Sequence, residues 1–273
     1  MPTIARKYDQ LRNRLSNLGS ALVAYSGGVD STLLALTAHA VRGDRCPAVL
    51  AVSDVHPTAE IEEARTIARE LGFRLYEAET YELADPRFQA NTPDRCYYCK
   101  SEMFALMRAI AQGRGISWAL DGTNADDPAE RRPGTRAAAE HGVLSPLLDV
   151  GLHKDEVRVL SEQLGLPTWD RPSSPCLATR FPYGTPITEP MLERVATAES
   201  AIRALGLHEI RVRVHGDLAR IEVGPADMDR AFALREDLTR AAKAAGFAFV
   251  AQDLEGYRVG SFDRAAAARP LAD

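Results

Sequence analysis

Short apolar runs alternate with longer amphipathic stretches through the first half of the chain. SALVAY (20–25) leads through SGGVDST into LLALTAHAV, whose apolar positions recur at helical spacing, so the pattern predicts a strand, a glycine turn and a helix in succession. PAVLAVS (47–53) repeats the strand signal. PTAEIEEARTIARELG (57–72) opens on a proline suited to a first helical position and closes on Gly72 as a C-cap, and FRLYEAE (73–79) reads as a third strand. A helix over roughly 97–112 leads to ISWALD and a second glycine turn, DGTN (121–124). Strand and helix in this rhythm predict an α/β fold: a Rossmann-like parallel sheet with helices on both faces and ligands at the carboxyl ends of its strands.

The rhythm breaks at PTWDRPSSPCLATRFPYGTPITEP (167–190), whose six prolines predict an ordered junction between domains. Beyond it, a helix near 190–205, the alternating runs EIRVRVHG and DLARIEVG about a Gly-Asp turn, a helix near 225–245 and FAFVAQDL predict a smaller α+β domain. The expected division is therefore 1–166, the junction 167–190, and 191–273, with DRAAAARPLAD as a frayed tail.

Composition narrows the partners. The net charge of −5 gives no global field for a nucleic acid backbone, and no apolar run approaches the about 18 residues of a membrane span. The charged, amphipathic start lacks the apolar core of a secretory signal, so a reducing cytoplasm is expected. In that compartment disulfides are rare, and RCYYCK (95–100) stands out because it sets two of only four cysteines three positions apart. The spacing is compatible with an iron–sulfur cluster, with zinc completed by a non-cysteine ligand, or with a dithiol relay serving another thiol. Cys46 has no partner nearby in sequence and reads as a packed thiol.

SGGVDST supplies glycines whose N–H groups can approach a phosphate (Gly27, Gly28), hydroxyls at Ser26, Ser31 and Thr32, and a helix N-terminus that favours anions. It lacks the Walker lysine that serves terminal phosphoryl transfer. The turn resembles that of the PP-loop ATP pyrophosphatases, whose SGGxDS pattern it matches in full. That resemblance implies ATP cleavage between the α- and β-phosphates, with AMP placed on a substrate oxygen. Ser53 and the DGTN residues Asp121, Thr123 and Asn124 then lie at the nucleotide edge of the sheet, where they also serve as turn residues. Asp30 caps its helix or holds Mg²⁺ on the pyrophosphate.

AYSGGVDST, DRCYYCK, DGTNADD, SPCLATR and DLEGYRVGS together resemble the LarE-type sulfur transferases, which help make the nickel-pincer nucleotide cofactor of lactate racemase, over nearly the full chain. The resemblance implies a pyridinium mononucleotide substrate whose carboxylate is adenylated and then replaced by a thiocarboxylate. Its single-cysteine members donate the sulfur of the thiol corresponding to Cys176. Its three-cysteine members imply a [4Fe–4S] cluster on Cys96, Cys99 and Cys176, fed by a sulfide or persulfide donor. Cys176 starts from a pKa of about 8.5, and Arg180 is the candidate cation to favour its thiolate.

On EIRVRVH, strand alternation puts Arg211, Arg213 and His215 on one face, where the two arginines suit the substrate phosphate or form a solvated surface. Glu199 and Glu222 are weaker candidates for a second divalent ion. The resemblance also implies a homo-oligomer. A tRNA thiolase would need a basic surface or an RNA-binding module that the sequence does not offer, a non-catalytic nucleotide sensor would leave three cysteines without purpose, and ammonia-using relatives do not need this thiol set.

Overall fold

The computed structural model describes residues 2–127, 133–207, 209–258 and 262. The tail 263–273 and the Val259–Ser261 end of DLEGYRVGS lie outside these residues. In chain order the regular elements are α1 (Ile4–Asn17), β1 (Ala21–Tyr25), α2 (Val29–Arg42), β2 (Ala48–Val52), α3 (Thr58–Glu70), β3 (Leu75–Glu79), α4 (Pro86–Gln89), α5 (Arg95–Gly113), β4 (Trp118–Leu120), α6 (Pro133–Glu140), α7 (Pro146–Asp149) and α8 (Lys154–Gln163). They continue with α9 (Glu189–Arg203), β5 (Ile210–His215), β6 (Leu218–Val223), α10 (Met228–Ala233), α11 (Arg235–Ala244) and β7 (Phe249–Gln252). The helix expected near 225–245 is thus two helices, separated at Leu234.

The first unit comprises residues up to 82 and 94–174. Its sheet is parallel in the order β3-β2-β1-β4, with Val23 opposite Ala48, Leu22 opposite Ala119 and Ala48 opposite Leu75. Every β1 residue is buried, and strand alternation divides them between two cores. Ala21, Val23 and Tyr25 join Leu33, Leu34 and Ala38 of α2 and Leu11 and Leu15 of α1. Leu22 and Ala24 join Phe104 and Met107 of α5 and Ala137 and Ala138 of α6. A strand covered on both faces reads as a continuous apolar run, which is why ALVAY has no polar alternation. At about 25 cal/mol per Å² of apolar area removed from water, each large side chain in these layers contributes about 1.5–3 kcal/mol.

The second unit comprises residues 83–93 and those from 175 onward. The sequence places 83–93 inside the first domain; the fold gives them to the second unit because their polar groups are satisfied there. Gly184 N–H donates to Asn91 O at 3.0 Å and Ile187 N–H to Gln89 O at 2.8 Å. The Asn91 amide, wholly buried and at φ 50°, donates to the carbonyls of Pro182 and Thr185. Residues 167–174 of the proline-rich junction pack with the first unit and 175–190 with the second. The second sheet runs β5-β6-β7, antiparallel between β5 and β6 and parallel between β6 and β7. No helix among the described residues is long and apolar enough to cross a membrane.

Candidate functional site

The turn after β1 is built around a position that requires glycine. Gly27 sits at φ +71°, and a Cβ there would lie 2.8 Å from Ala64 Cβ, so any side chain meets both backbone strain and a packed helix. Gly28 precedes the first residue of α2 in an extended conformation. The turn is fixed by its own hydroxyls: Ser31 Oγ accepts from Ser26 N–H at 3.2 Å, lies 3.1 Å from Ser26 Oγ, and reaches Gly28 O at 3.1 Å. Thr32 does not join this surface. It is fully buried beneath the turn, so its hydroxyl belongs to the core rather than to a phosphate cradle.

DGTN closes against this turn. A Cβ on Gly122 would come within 3.1 Å of Ser31 N, so the missing side chain is what lets the two loops meet backbone to backbone. Asp121, buried, accepts from Thr123 N–H, Thr123 Oγ1 and Ser145 Oγ, and so shapes its own turn. Asn124 Nδ2 donates to Asp30 Oδ1 at 3.1 Å, and Lys154 Nζ forms an ion pair with Asp30 Oδ2. Ser53 follows β2 but does not line the cavity; its Oγ is buried without a hydrogen-bond partner among the described residues.

A cavity of about 390 Å³ opens over these loops, a size that accommodates a small-molecule ligand. Its wall includes Ser26, Gly28, Asp30, Ser31, Asp121, Thr123 and Asp127, with the cations Lys100, Lys154 and Arg171. Arg171 donates to Gly27 O at 3.1 Å and pairs with Glu63 at 2.6 Å. Burial pushes the His56 imidazole on this wall below its ordinary value, against the opposing charges of Glu82 and Glu60. Sequence reasoning did not find Lys154, Arg171, Lys100 or His56. A signal for Lys154 does exist: it occupies the first position of α8, the end of a helix that ordinarily disfavours cations. A lysine held there by Asp30, 124 residues away, supplies the positive charge that the turn itself lacks. With ATP in this cavity, as the PP-loop resemblance implies, Lys154→Met is expected to weaken its binding by about tenfold to a hundredfold through loss of a charge-assisted hydrogen bond, measured by calorimetric titration with a non-hydrolysable analogue. Unchanged affinity would remove Lys154 from the phosphate site.

Cys96 and Cys99 stand one turn apart near the start of α5, Cys96 exposed and Cys99 half-buried, and all four cysteines are free thiols. Cys99 lies on the cavity wall, and its Sγ donates to Glu82 Oε1 at 3.6 Å. Neighbouring thiols on one helix face suit a shared metal centre, and Cys176 belongs to the second unit. Among the described residues no group of three His, Cys, Asp or Glu side chains is arranged to hold a metal ion. Asp30 and Asp127 on the cavity wall suit Mg²⁺, which is held by one or two carboxylates together with substrate phosphates. Cys46 is buried, and burial raises its thiol pKa.

In the second unit, Arg180 and Glu199 are both fully buried and paired at 2.8 Å. Arg180 also donates to the carbonyls of Pro175 at 2.7 Å and Cys176 at 3.2 Å, so it grips the backbone around the thiol. Glu199 also pairs with Arg203 and accepts from Val212 N–H at 3.0 Å. Glu222 is held by Arg213 at 2.8 Å and Arg220 at 3.0 Å. The charge that either carboxylate would offer a divalent ion is therefore already compensated by arginine. Both faces of β5 are covered rather than one: Arg211 and Arg213 are buried, while His215 at the strand end is exposed. Arg213 donates to Thr179 O at 2.8 Å, and the Arg211 guanidinium lies 4.8 Å from the centre of the Tyr257 ring.

No family model matches the chain. It is 42% identical over 260 residues to an uncharacterized protein of Synechocystis, covering 94% of this chain and 97% of that protein. It is 36% identical over 261 residues to the pyridinium-3,5-bisthiocarboxylic acid mononucleotide synthase of Lactiplantibacillus plantarum, covering 95% of each. A more distant likeness, 30% over 207 residues, is to a GMP synthase of Aeropyrum pernix, covering 67% of this chain and 39% of that enzyme. The near-complete coverage, the glycine turn between β1 and α2 and the parallel sheet behind it place the chain in one family: it belongs with the pyridinium-3,5-bisthiocarboxylic acid mononucleotide synthase, the LarE-type branch of the PP-loop proteins.

Proposed function

We propose that this chain is an ATP-dependent sulfur transferase that converts a carboxylate of a pyridinium dicarboxylate mononucleotide into a thiocarboxylate. One observation carries the reading: the glycine turn of the nucleotide loop and the thiol of Cys99 line the same cavity. In the first step a substrate carboxylate oxygen attacks the α-phosphorus of ATP and pyrophosphate departs. In the second, a sulfide-level nucleophile, either hydrosulfide or the Cys176 thiolate, attacks the acyl carbon of the mixed anhydride and AMP leaves with the original oxygen and the C–O electron pair; a Cys176 thioester would then release the thiocarboxylate by β-elimination across its Cβ–S bond, leaving dehydroalanine. Activation is required because a carboxylate cannot expel oxide, whereas AMP is a good leaving group.

Ser26, Gly27, Gly28 and Ser31 cradle the departing pyrophosphate, and Lys154 offsets its charge. Asp30 and Asp127 are the carboxylates that would hold Mg²⁺, which would offset the charge of the pyrophosphate. Arg211 and Arg213 take the phosphate of the mononucleotide. Supporting this, burial and the neighbouring Arg180 both lower the Arg211 guanidinium from its ordinary value, a repulsion that a phosphate would relieve.

Cys96, Cys99 and Cys176 are the thiolates that would hold a [4Fe–4S] cluster, which would supply sulfide-level sulfur to the transfer. Protein purified anaerobically is expected to be brown, to contain iron, and to absorb broadly near about 400 nm. Iron-free, colourless protein after anaerobic reconstitution would return Cys176 to sacrificial donation of its own sulfur. Absence of pyrophosphate release with ATP and the dicarboxylate mononucleotide would overturn the transferase reading itself.

A further inference from the structure

The end of the first sheet away from the nucleotide cavity carries a second groove, of about 500 Å³. Its wall is made where the parallel strands begin: Gly19 and Ser20 before β1, Pro47 before β2, Arg74 before β3, and Ile116 and Ser117 before β4. Arg45 and Arg114 complete a set of three guanidinium groups facing one carboxylate, Asp44. None of the three arginines forms an ion pair among the described residues.

Their arrangement is built rather than scattered. Arg114 lies 4.0 Å from the centre of the Tyr76 ring, and Arg74 lies 6.0 Å from the same ring, so one aromatic side chain organises two of the three cations. A guanidinium flat against a ring keeps its N–H edge available for an oxyanion. Ser20 Oγ accepts from Ser117 N–H at 3.0 Å and approaches Ser117 Oγ at 3.3 Å, which ties the starts of β1 and β4 together and sets two hydroxyls beside the cations. In a chain of net charge −5, three arginines around one groove with a single acid are a local reversal of sign. Their mutual repulsion is relieved by bringing in negative charge.

We infer that this groove is a second anion site, taking a small multivalent oxyanion of the diphosphate class, distinct from the nucleotide cavity and independent of the proposed reaction. Two adjoining phosphoryl groups match three forked donors and two hydroxyls better than a single phosphate does. A nucleic acid would need a longer basic track than one groove provides.

The test is calorimetric titration of inorganic pyrophosphate into the full-length wild-type chain and into the Arg74→Ala/Arg114→Ala variant. Both substitutions are on exposed side chains, so the core is left intact. The wild type is expected to bind one more equivalent than the variant, or to bind it about a hundredfold more tightly, as loss of charge-assisted hydrogen bonds predicts. Identical stoichiometry and affinity in the two proteins would overturn the site. Orthophosphate binding as tightly as pyrophosphate would overturn the diphosphate assignment. Substitutions within the nucleotide turn are expected to leave this equivalent in place, which separates failure of this site from failure of the proposed function.

Discussion

Cys176→Ala is expected to release pyrophosphate from ATP and substrate at close to the wild-type rate while forming no detectable thiocarboxylate. The separation follows from how the segment is held. Cys176 O accepts from Thr179 N–H at 3.0 Å, Thr179 Oγ1 at 2.8 Å and Arg180 at 3.2 Å. The backbone is therefore anchored through its carbonyl and the buried Arg180, and alanine removes sulfur without releasing the loop. In the proposed reaction the groups assigned to ATP, Ser26 to Ser31 and Lys154, belong to the first unit, which the substitution does not touch. The measurement is a pyrophosphate assay beside mass spectrometry of the product. Thiocarboxylate formed by the alanine variant would exclude Cys176 from the sulfur route. Mass spectrometry of the wild-type protein after turnover then separates the two routes: loss of about 34 Da, the mass of hydrogen sulfide, from the Cys176 peptide marks a consumed side chain, and an unchanged mass marks sulfur delivered from elsewhere.

The turn between β1 and α2 was legible because its determinants are local. A buried strand, two glycines and a helix start within twelve residues specify β1, the turn and α2, and Gly27 occupies the left-handed conformation that its identity suggests. The place of Asp121 and Asn124 in a polar turn after the parallel strand β4 was also readable. Lys154 was not, because its relation to Asp30 spans 124 residues and exists only once α8 packs beside α2. Thr32 misled for a related reason: in the first turn of a helix, successive hydroxyls point in different directions, and Ser31 faces the loop while Thr32 faces the core. On β5, the alternation IRVRVH put Arg211, Arg213 and His215 on one face, open either to a substrate phosphate or to solvent. What reverses that is β6, whose Glu222 sits opposite Arg211 in the ladder and pairs diagonally with Arg213, together with Glu199 from α9. Polar alternation shows which residues share a face, and compensating charges on neighbouring elements decide whether that face is buried.

Glu199→Ala is expected to destabilise the protein by about 3–5 kcal/mol, because it strands the guanidinium of Arg180 in a core from which water is excluded. The same change removes the acceptor of Val212 N–H on β5 and one partner of Arg203. Burial by itself would raise the Glu199 carboxyl, but Arg180, Arg203 and the Val212 N–H more than offset it, and the group stays below its ordinary value. A depressed carboxyl contributes stability that is fully present above the unfolded value of about 4.3 and is lost as pH falls through the lower folded value. Wild-type stability should therefore fall off in that acid range, measured as the urea midpoint at a series of pH values. Glu199→Gln, which keeps the shape and one acceptor but carries no proton to exchange, should start lower at neutral pH and lack this component of the acid decline. Arg180→Met/Glu199→Leu should recover much of the loss seen in Glu199→Ala, since a buried pair replaced by apolar side chains leaves no uncompensated charge. If Glu199→Ala matched the wild type at neutral pH, or if Glu199→Gln declined in parallel with it, the carboxylate would not be the group that holds Arg180 on the Cys176 backbone.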